Sequence, residues 1–162
     1  MIILGIDPGY AIVGYGFIRY ERSLLAPVNF GAITTEAHTD FNLRLKTIYE
    51  DLSVLLDRFS PDALAIEKLF FNTNKTTAVE VAQARGVILL AAAMRDIPVF
   101  QYTPLQVKQA VVGYGRAEKK QVQEMVKQLL RLNAVPKPDD TADALAMAVC
   151  HAHTGASSLF YG

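Results

Sequence analysis

The chain has 162 residues, 51% of them apolar, with 16 basic and 16 acidic side chains and a formal net charge of zero. That length suits a single domain with its own core, and the one cysteine, Cys150, excludes a disulfide framework and points to a reducing setting. The neutral total does not mark a nucleic-acid binder, and the longest uncharged apolar run, Val87 to Met94, falls far short of the ~18 residues a membrane span needs.

Met1-Ile2-Ile3 runs straight into a strand without a leader pattern, so a soluble cytoplasmic protein with no membrane contact is expected. Ile2–Asp7, Ala11–Arg22 and Leu24–Thr34 read as three successive strands, rich in Val, Ile, Tyr and Phe. The turns between them are short, which implies antiparallel neighbours. Asp40 suits a helix cap, and Leu43, Ile48, Leu52, Leu55, Leu56 and Phe59 follow at helical spacing up to Ser60-Pro61. Asp62–Leu69 is a fourth, largely apolar and therefore central strand. A polar loop then leads into a long helix from about Thr77 to Arg95, with Ala82 and Gly86 small enough for a second helix to approach. Ile97–Tyr102 is a fifth strand. Helices are expected at Pro104–Val112, about Glu118–Leu132 and about Asp139–His153, and the tail from Thr154 is expected to fray. The order βββαβαβααα contains no repeat and no linker. It predicts an α/β domain over residues 1–155 with a flexible tail at 156–162.

Charge is unevenly placed. Between Thr103 and Asn133, Lys108, Arg116, Lys119, Lys120, Lys127 and Arg131 stand against Glu118 and Glu124, six against two, which leaves +4 on that stretch. Acid collects at Asp139, Asp140 and Asp143. A basic surface beside an acidic spot suits an anionic substrate held near metal, and it equally suits a solvated amphipathic helix.

The carboxylates carry the chemistry. Asp7 ends the first strand at a Pro-Gly turn, and Glu67 lies in the fourth strand. Asp140 and Asp143, three residues apart, share one face of the last helix. Asp7 alone suits an Asx-type turn, Glu67 a lysine partner at a strand edge, and Asp139 an N-cap. Asp143 sits too deep in its helix for a cap, among small residues, and its near sequence offers no Lys or Arg. A divalent cation would supply the missing charge. If strands one and four are neighbours and the last helix crosses them, all four groups converge. Hard oxygen ligands of this kind suit Mg²⁺, with Mn²⁺ as a substitute. Two such ions clamp a phosphodiester, one activating water and the other stabilising the leaving 3′ oxygen.

Five stretches, IDPG…GYG at Ile6–Gly16, AIEKLFF at Ala65–Phe71, QARG at Gln83–Gly86, PLQVKQAVVGYGRAEKKQV at Pro104–Val122 and DDTADALAMAVCHAH at Asp139–His153, resemble the RuvC family of bacterial Holliday-junction resolvases, in order and over nearly the whole chain. The resemblance implies a ribonuclease H-like fold: a five-stranded mixed sheet in the order 3-2-1-4-5, strand 2 antiparallel, with helices on both faces. It implies a homodimeric crossover junction endodeoxyribonuclease acting in recombination and repair with the RuvA and RuvB branch-migration proteins. Paired, symmetric, metal-dependent nicks in a four-way DNA junction would leave 5′-phosphate and 3′-hydroxyl ends.

Carried over by position, the resemblance makes Asp7, Glu67, Asp140 and Asp143 the catalytic, metal-binding quartet, with two ions per site. It places Phe70 against junction bases and Lys108 and Lys119 near the scissile phosphate. Arg116 and Lys120 lie beside Lys119 near a helix start; Asn72, Asn74 and Lys75, in the loop after strand four, suit backbone contacts and equally suit ordinary loop polarity, and Phe71 suits core packing. Tyr10 departs from the family, which often has a small hydroxyl residue there. Asp139 adds a second acid beside Asp140, and the helical register favours Asp140 as the ligand. His151 and His153 lie too far along the helix to be assigned a catalytic role.

Other readings remain open at this level. A related ribonuclease H-like nuclease processing RNA would share Asp7 and the fold. Half of an actin-like ATPase would share the strand, acid and glycine, and needs a second lobe. A non-catalytic junction-binding module would have no use for four crowded acids.

Overall fold

The computed structural model describes residues 1–69 and 75–158. Phe70, Phe71, Asn72 and Asn74 therefore lie outside the described residues, and Lys75 enters only as the first residue of its helix. Strands β1 (Ile2–Asp7), β2 (Ile12–Glu21) and β3 (Leu24–Thr34) come first, followed by helix α1 (Phe41–Phe59). Then come β4 (Ala63–Glu67), α2 (Lys75–Ala93), β5 (Val99–Tyr102), α3 (Pro104–Val112), α4 (Lys119–Leu129) and α5 (Asp139–Ser158). No helix among the described residues is long and apolar enough to cross a membrane.

The five strands form one sheet in the order β3-β2-β1-β4-β5, as expected. β1 pairs antiparallel with β2, Asp7 opposite Gly14, and parallel with β4, Ile6 opposite Ile66. One residue past that last pair, both strands end in an acid, Asp7 and Glu67. The register between β2 and β3 shifts at Phe17/Ile18, next to Pro27 on the edge strand, where a residue without an N–H is tolerated.

Side-chain alternation splits the core into two layers. Leu4, Ile6, Leu64 and Ile66 face α1 and α2, where Ile48, Leu52, Leu56, Ala84 and Ile88 are buried. Ile3, Ile18 and Ala65 face α3, α4 and α5. Strands β1 and β4 are covered on both faces, which explains their nearly unbroken apolar runs.

Helix α5 lies almost on the sheet backbone. A methyl group placed on Gly5 of β1 would collide with the carbonyl of Ala144, and one on Gly14 of β2 with the carbonyl of Asp140. Ala144 and Ala148 supply the matching small surface on the helix. Thr141, fully buried, donates its hydroxyl to the Gly31 carbonyl at 2.9 Å and ties the first turn of α5 to β3.

The expected boundaries shift in several places. The fourth strand is Ala63–Glu67 because Asp62 turns its carboxylate onto the Ile2 N–H at 2.7 Å instead of continuing the strand. β5 begins only after Pro98, whose missing N–H delays the ladder. α2 starts two residues earlier than expected and ends at Ala93. Glu118 is the N-cap of α4, its N–H received by the Gln121 side chain at 2.7 Å, and the helix stops at Leu129. Asp40 occupies the N-cap position of α1, yet its carboxylate makes no cap bond; its carbonyl takes the Leu43 and Arg44 N–H groups. The stretch from Thr154 expected to fray is helical through Ser158. Its first residues are held by packing, with Gly155 buried against the ring of His151 and the hydroxyl of Tyr102.

Gly5→Ala should lower stability by ~1–3 kcal/mol, because the added methyl must displace helix backbone rather than a flexible side chain. At this chain length that is a fall in Tm of about 2–4 °C per kcal/mol, measurable by thermal unfolding followed by circular dichroism.

Candidate active site

Three elements deliver the acids to one edge of the sheet. β1 ends at Asp7, β4 at Glu67, and α5 crosses the sheet with Asp140 and Asp143 on the face turned towards them. The close contact at Gly14 places the Asp140 backbone against β2 and brings its side chain into a hydrogen bond with Asp7. Asp7, Glu67 and Asp143 line a cavity of about 260 Å³ together with Lys108 and Lys119, over an apolar floor that includes Val107, Val122 and Met147. Asp140 stands beside this cavity and reaches it through Asp7.

The electrostatics follow from crowding. Burial, then the charges of Asp143, Asp140 and Glu67, push the Asp7 carboxyl up to about 8. Burial and Asp143 raise Glu67. Burial also raises Asp143, against the opposing pull of Lys119. A site whose carboxyls are raised in this way is short of positive charge.

One sequence expectation is overturned here. Asp143 does have a cationic partner: Lys119 Nζ lies 3.5 Å from Asp143 Oδ2 and 3.5 Å from Asp139 Oδ2. The partner belongs to the first turn of α4, a different helix, so no reading of the sequence around Asp143 reveals it. Asp143 raises the Lys119 ammonium in turn. Asp139 separates from the quartet. It is exposed, and its hydrogen bond to Lys137 at 3.3 Å, with Lys119 second, holds its carboxyl below the usual range. Asp139 is a surface ion-pair residue at the head of α5, and Asp140 is the one that meets Asp7.

The other basic residues divide. Lys108 and Lys119 reach the cavity. Lys120, one residue on, lines a separate shallow groove with Val112, Glu124 and Met125. Arg116 is exposed between α3 and α4. Arg85, noted in the sequence only as part of QARG, is buried and extends from α2 to the end of the sheet. Its Nη2 donates to Gln101 Oε1 at 2.7 Å and approaches the Glu67 carbonyl at 3.5 Å. An arginine at a helix position otherwise filled by small residues was the available signal. His151 is fully buried with Nδ1 2.6 Å from the Tyr102 hydroxyl, a structural role away from the acids. Tyr10 packs edge-on to Phe41, ring centroids 5.9 Å apart, beneath the Arg44 guanidinium.

The donor set at this site is all carboxylate oxygen, hard and negatively charged, and burial and mutual repulsion raise Asp7, Glu67 and Asp143; both features fit a divalent cation. Among the described residues, no three Asp, Glu, His or Cys side chains stand close enough to enclose an ion without adjustment. Lys119 supplies the cationic charge next to Asp143.

A model of the family described as "Crossover junction endodeoxyribonuclease RuvC" matches residues 3–151. The crossover junction endodeoxyribonuclease RuvC of Alkaliphilus metalliredigens is 61% identical over 155 residues, 96% of this chain and 94% of that protein. Among solved structures, Thermus thermophilus RuvC superposes with a TM-score of 0.90 at 35% identity, covering 98% of this chain and 97% of that one. The same organism's RuvC in complex with a Holliday junction substrate gives 0.92 at 34% identity, covering 98% and 96%.

The raised Asp7 carboxyl predicts a pH dependence for the metal-free protein. Unfolding returns it to an ordinary value near 3.8, so between there and about 8 the folded state holds the extra proton. Stability therefore falls as pH rises through that window, by up to ~1.4 kcal/mol per pH unit from this group. Denaturant unfolding at pH 5, 6, 7 and 8 in EDTA should show the fall, and Asp7→Asn should flatten it.

Proposed function

The chain belongs to the crossover junction endodeoxyribonuclease RuvC family, and on that premise we propose that it resolves four-way DNA junctions by hydrolysing one phosphodiester bond in each of two opposed strands. The observation that carries the reading is the convergence of Asp7, Glu67 and Asp143 on one cavity with Asp140 hydrogen-bonded to Asp7. Four acids drawn together against their own repulsion serve a site that takes up positive charge, and a phosphodiester approaching such a site needs that charge.

Mg²⁺, with Mn²⁺ as a substitute and two ions per site, supplies activation of the attacking water and stabilisation of the leaving 3′ oxygen when bound by the quartet. The chain's own residues do the remainder. Asp7, at the end of a strand paired on both sides, would hold the cation as a carboxylate. Glu67 and Asp143 form the other walls. Lys108 and Lys119 present ammonium groups to the phosphate across the same cavity, and Lys119 restrains Asp143 until the charge around it changes. Cleavage on the 3′-oxygen side leaves a 5′-phosphate and a 3′-hydroxyl that ligase can seal.

Two opposed nicks need two sites, so the working form is a homodimer of a nuclease domain spanning residues 1–155. It acts in the cytoplasm with RuvA and RuvB, in recombination and DNA repair. Phe70 stacks on junction bases, while Asn72, Asn74, Lys75, Arg116 and Lys120 contact the backbone. The curated relatives named for crossover junctions, at 61% identity, favour junction DNA over structured RNA as substrate, and the intact quartet disfavours a binding module without catalysis.

The test is cleavage of a synthetic mobile four-way junction beside a linear duplex of the same sequence, in Mg²⁺ and in EDTA. Paired, ligatable nicks in the junction alone, lost in EDTA, are expected. Asp7→Asn, Glu67→Gln and Asp143→Asn should each slow cleavage by ~10²–10⁴-fold, the range typical for loss of a group acting directly on the reaction, with junction affinity kept within a few-fold. Nicking of the duplex at an equal rate, or cleavage that survives EDTA, would overturn the reading.

A further inference from the structure

The turn that carries Asp7 into the cleft is anchored on its other side by a small polar cluster. Thr35 donates its hydroxyl to the Tyr10 carbonyl at 2.5 Å and its N–H to the Ala11 carbonyl at 3.0 Å. Arg44, in the first turns of α1, donates Nε to the Thr35 hydroxyl at 2.8 Å. Its guanidinium lies over the Tyr10 ring, with Cζ 4.8 Å from the ring centroid, and Phe41 supports that ring from the edge. The guanidinium is thus held between the Tyr10 ring and the Thr35 hydroxyl.

A side chain held in this way gives up much of an arginine's rotamer freedom. Where Arg95 is immobilised, Asp57 receives it at 2.7 and 3.2 Å. Arg44 has no such counterpart: among the described residues no carboxylate pairs with it and only Nε has an acceptor. It is half-buried, so part of the side chain remains open to solvent. An ordered, stacked fork with its charged end free matches the bidentate geometry of a phosphate.

Its position fits the substrate. Tyr10 follows Asp7 by three residues, a span of at most ~10 Å, and the Arg44 guanidinium lies 4.8 Å from the Tyr10 ring centroid, a reach on the order of a few nucleotides along one strand. Lys108 and Lys119 belong to helices on one face of the sheet, whereas α1 packs on the other. A small hydroxyl residue at position 10 offers no ring to stack on, so the tyrosine here gives the guanidinium a platform.

We propose that Arg44, oriented by Tyr10 and Thr35, binds a backbone phosphate of the DNA on the α1 side of the cleft, about two or three nucleotides from the scissile bond and opposite the Lys108–Lys119 side. The inference rests on the proposed junction nuclease activity. Such a contact adds affinity without base preference and grips the strand on both sides of the bond to be cut.

The test is junction binding in EDTA over a salt series for the wild type, Arg44→Gln and Arg44→Lys, on two junctions of different sequence, with thermal melts alongside. Arg44→Gln should weaken binding about 5- to 20-fold at low salt, equally on both junctions, and reduce the slope of log K against log salt by ~0.9, the value for one lost phosphate contact. Arg44→Lys should restore the slope and only part of the affinity. A single neutral methylphosphonate placed two or three nucleotides from the cleavage site should weaken the wild type and leave Arg44→Gln unaffected at that position. If Arg44→Gln melts below the assay temperature, Arg44→Lys replaces it, and the methylphosphonate should cost the wild type more than the lysine variant. Equal losses, or a folded Arg44→Gln with wild-type affinity and slope, would overturn the phosphate site and assign Arg44 to support of the turn alone. A wild type that shows no preference for junction over duplex and no salt dependence would instead fail the functional reading itself.

Discussion

Helix α5 meets strands β1 and β2 backbone against backbone at Gly5 and Gly14, and that contact sets how near Asp140 and Asp143 come to Asp7. An ordinary layer of side chains would keep the helix backbone clear of the sheet backbone. With glycine below and alanine above, the layer shrinks and the helix acids reach the strand acids. The same closeness removes water, so burial is the largest influence on Asp7, Glu67 and Asp143 alike. Packing and acidity at this site are therefore one property seen twice: a change that lets α5 lift would restore ordinary acids and disperse them.

Crowding like charges costs free energy that the rest of the fold must offset. The protein meets the cost in two ways. Asp7, raised to about 8, keeps a proton near neutrality. Lys119, from the start of α4, lies against Asp143 and Asp139. The lysine is more than half exposed, so its ion pairs are weak in water and readily given up. A loosely held counter-ion suits a site that must accept other positive charge.

Buried polar groups hold the frame around this site. Thr141 ties the first turn of α5 to β3, Arg85 gathers the ends of β4 and β5, and Tyr102 meets His151 beneath α5. Each joins two elements of the frame, and each would leave an unsatisfied group if its partner moved. On the other side of the same edge, Thr35 and Arg44 secure the turn after Asp7. The edge that carries the acids is thus braced from both layers of the core.

Much of this was legible in the chain. The alternation in β1–β3, the unbroken apolar run of β4 and the helical spacing of Ile48, Leu52 and Leu56 come from local periodicity, which a sequence displays directly. Asp7 at a strand end, Glu67 in the fourth strand, and Asp140 and Asp143 on one helix face follow from the same periods, and five ordered motifs pointed to the family. What stayed hidden was contact between distant segments. Lys119 as the partner of Asp143, the separation of Asp139 from Asp140, the diversion of Lys120 into another groove, and the stacking of Arg44 on Tyr10 all depend on where α4, α5 and α1 settle on the sheet. Helical extension of α5 past His153 belongs with them, because Gly155 is a poor helix former that packing against His151 and Tyr102 retains. Residue type and spacing determined which groups are available and which face of an element each takes; the tertiary structure alone decided which of them meet, because an ion pair or a stack between segments has no period to betray it.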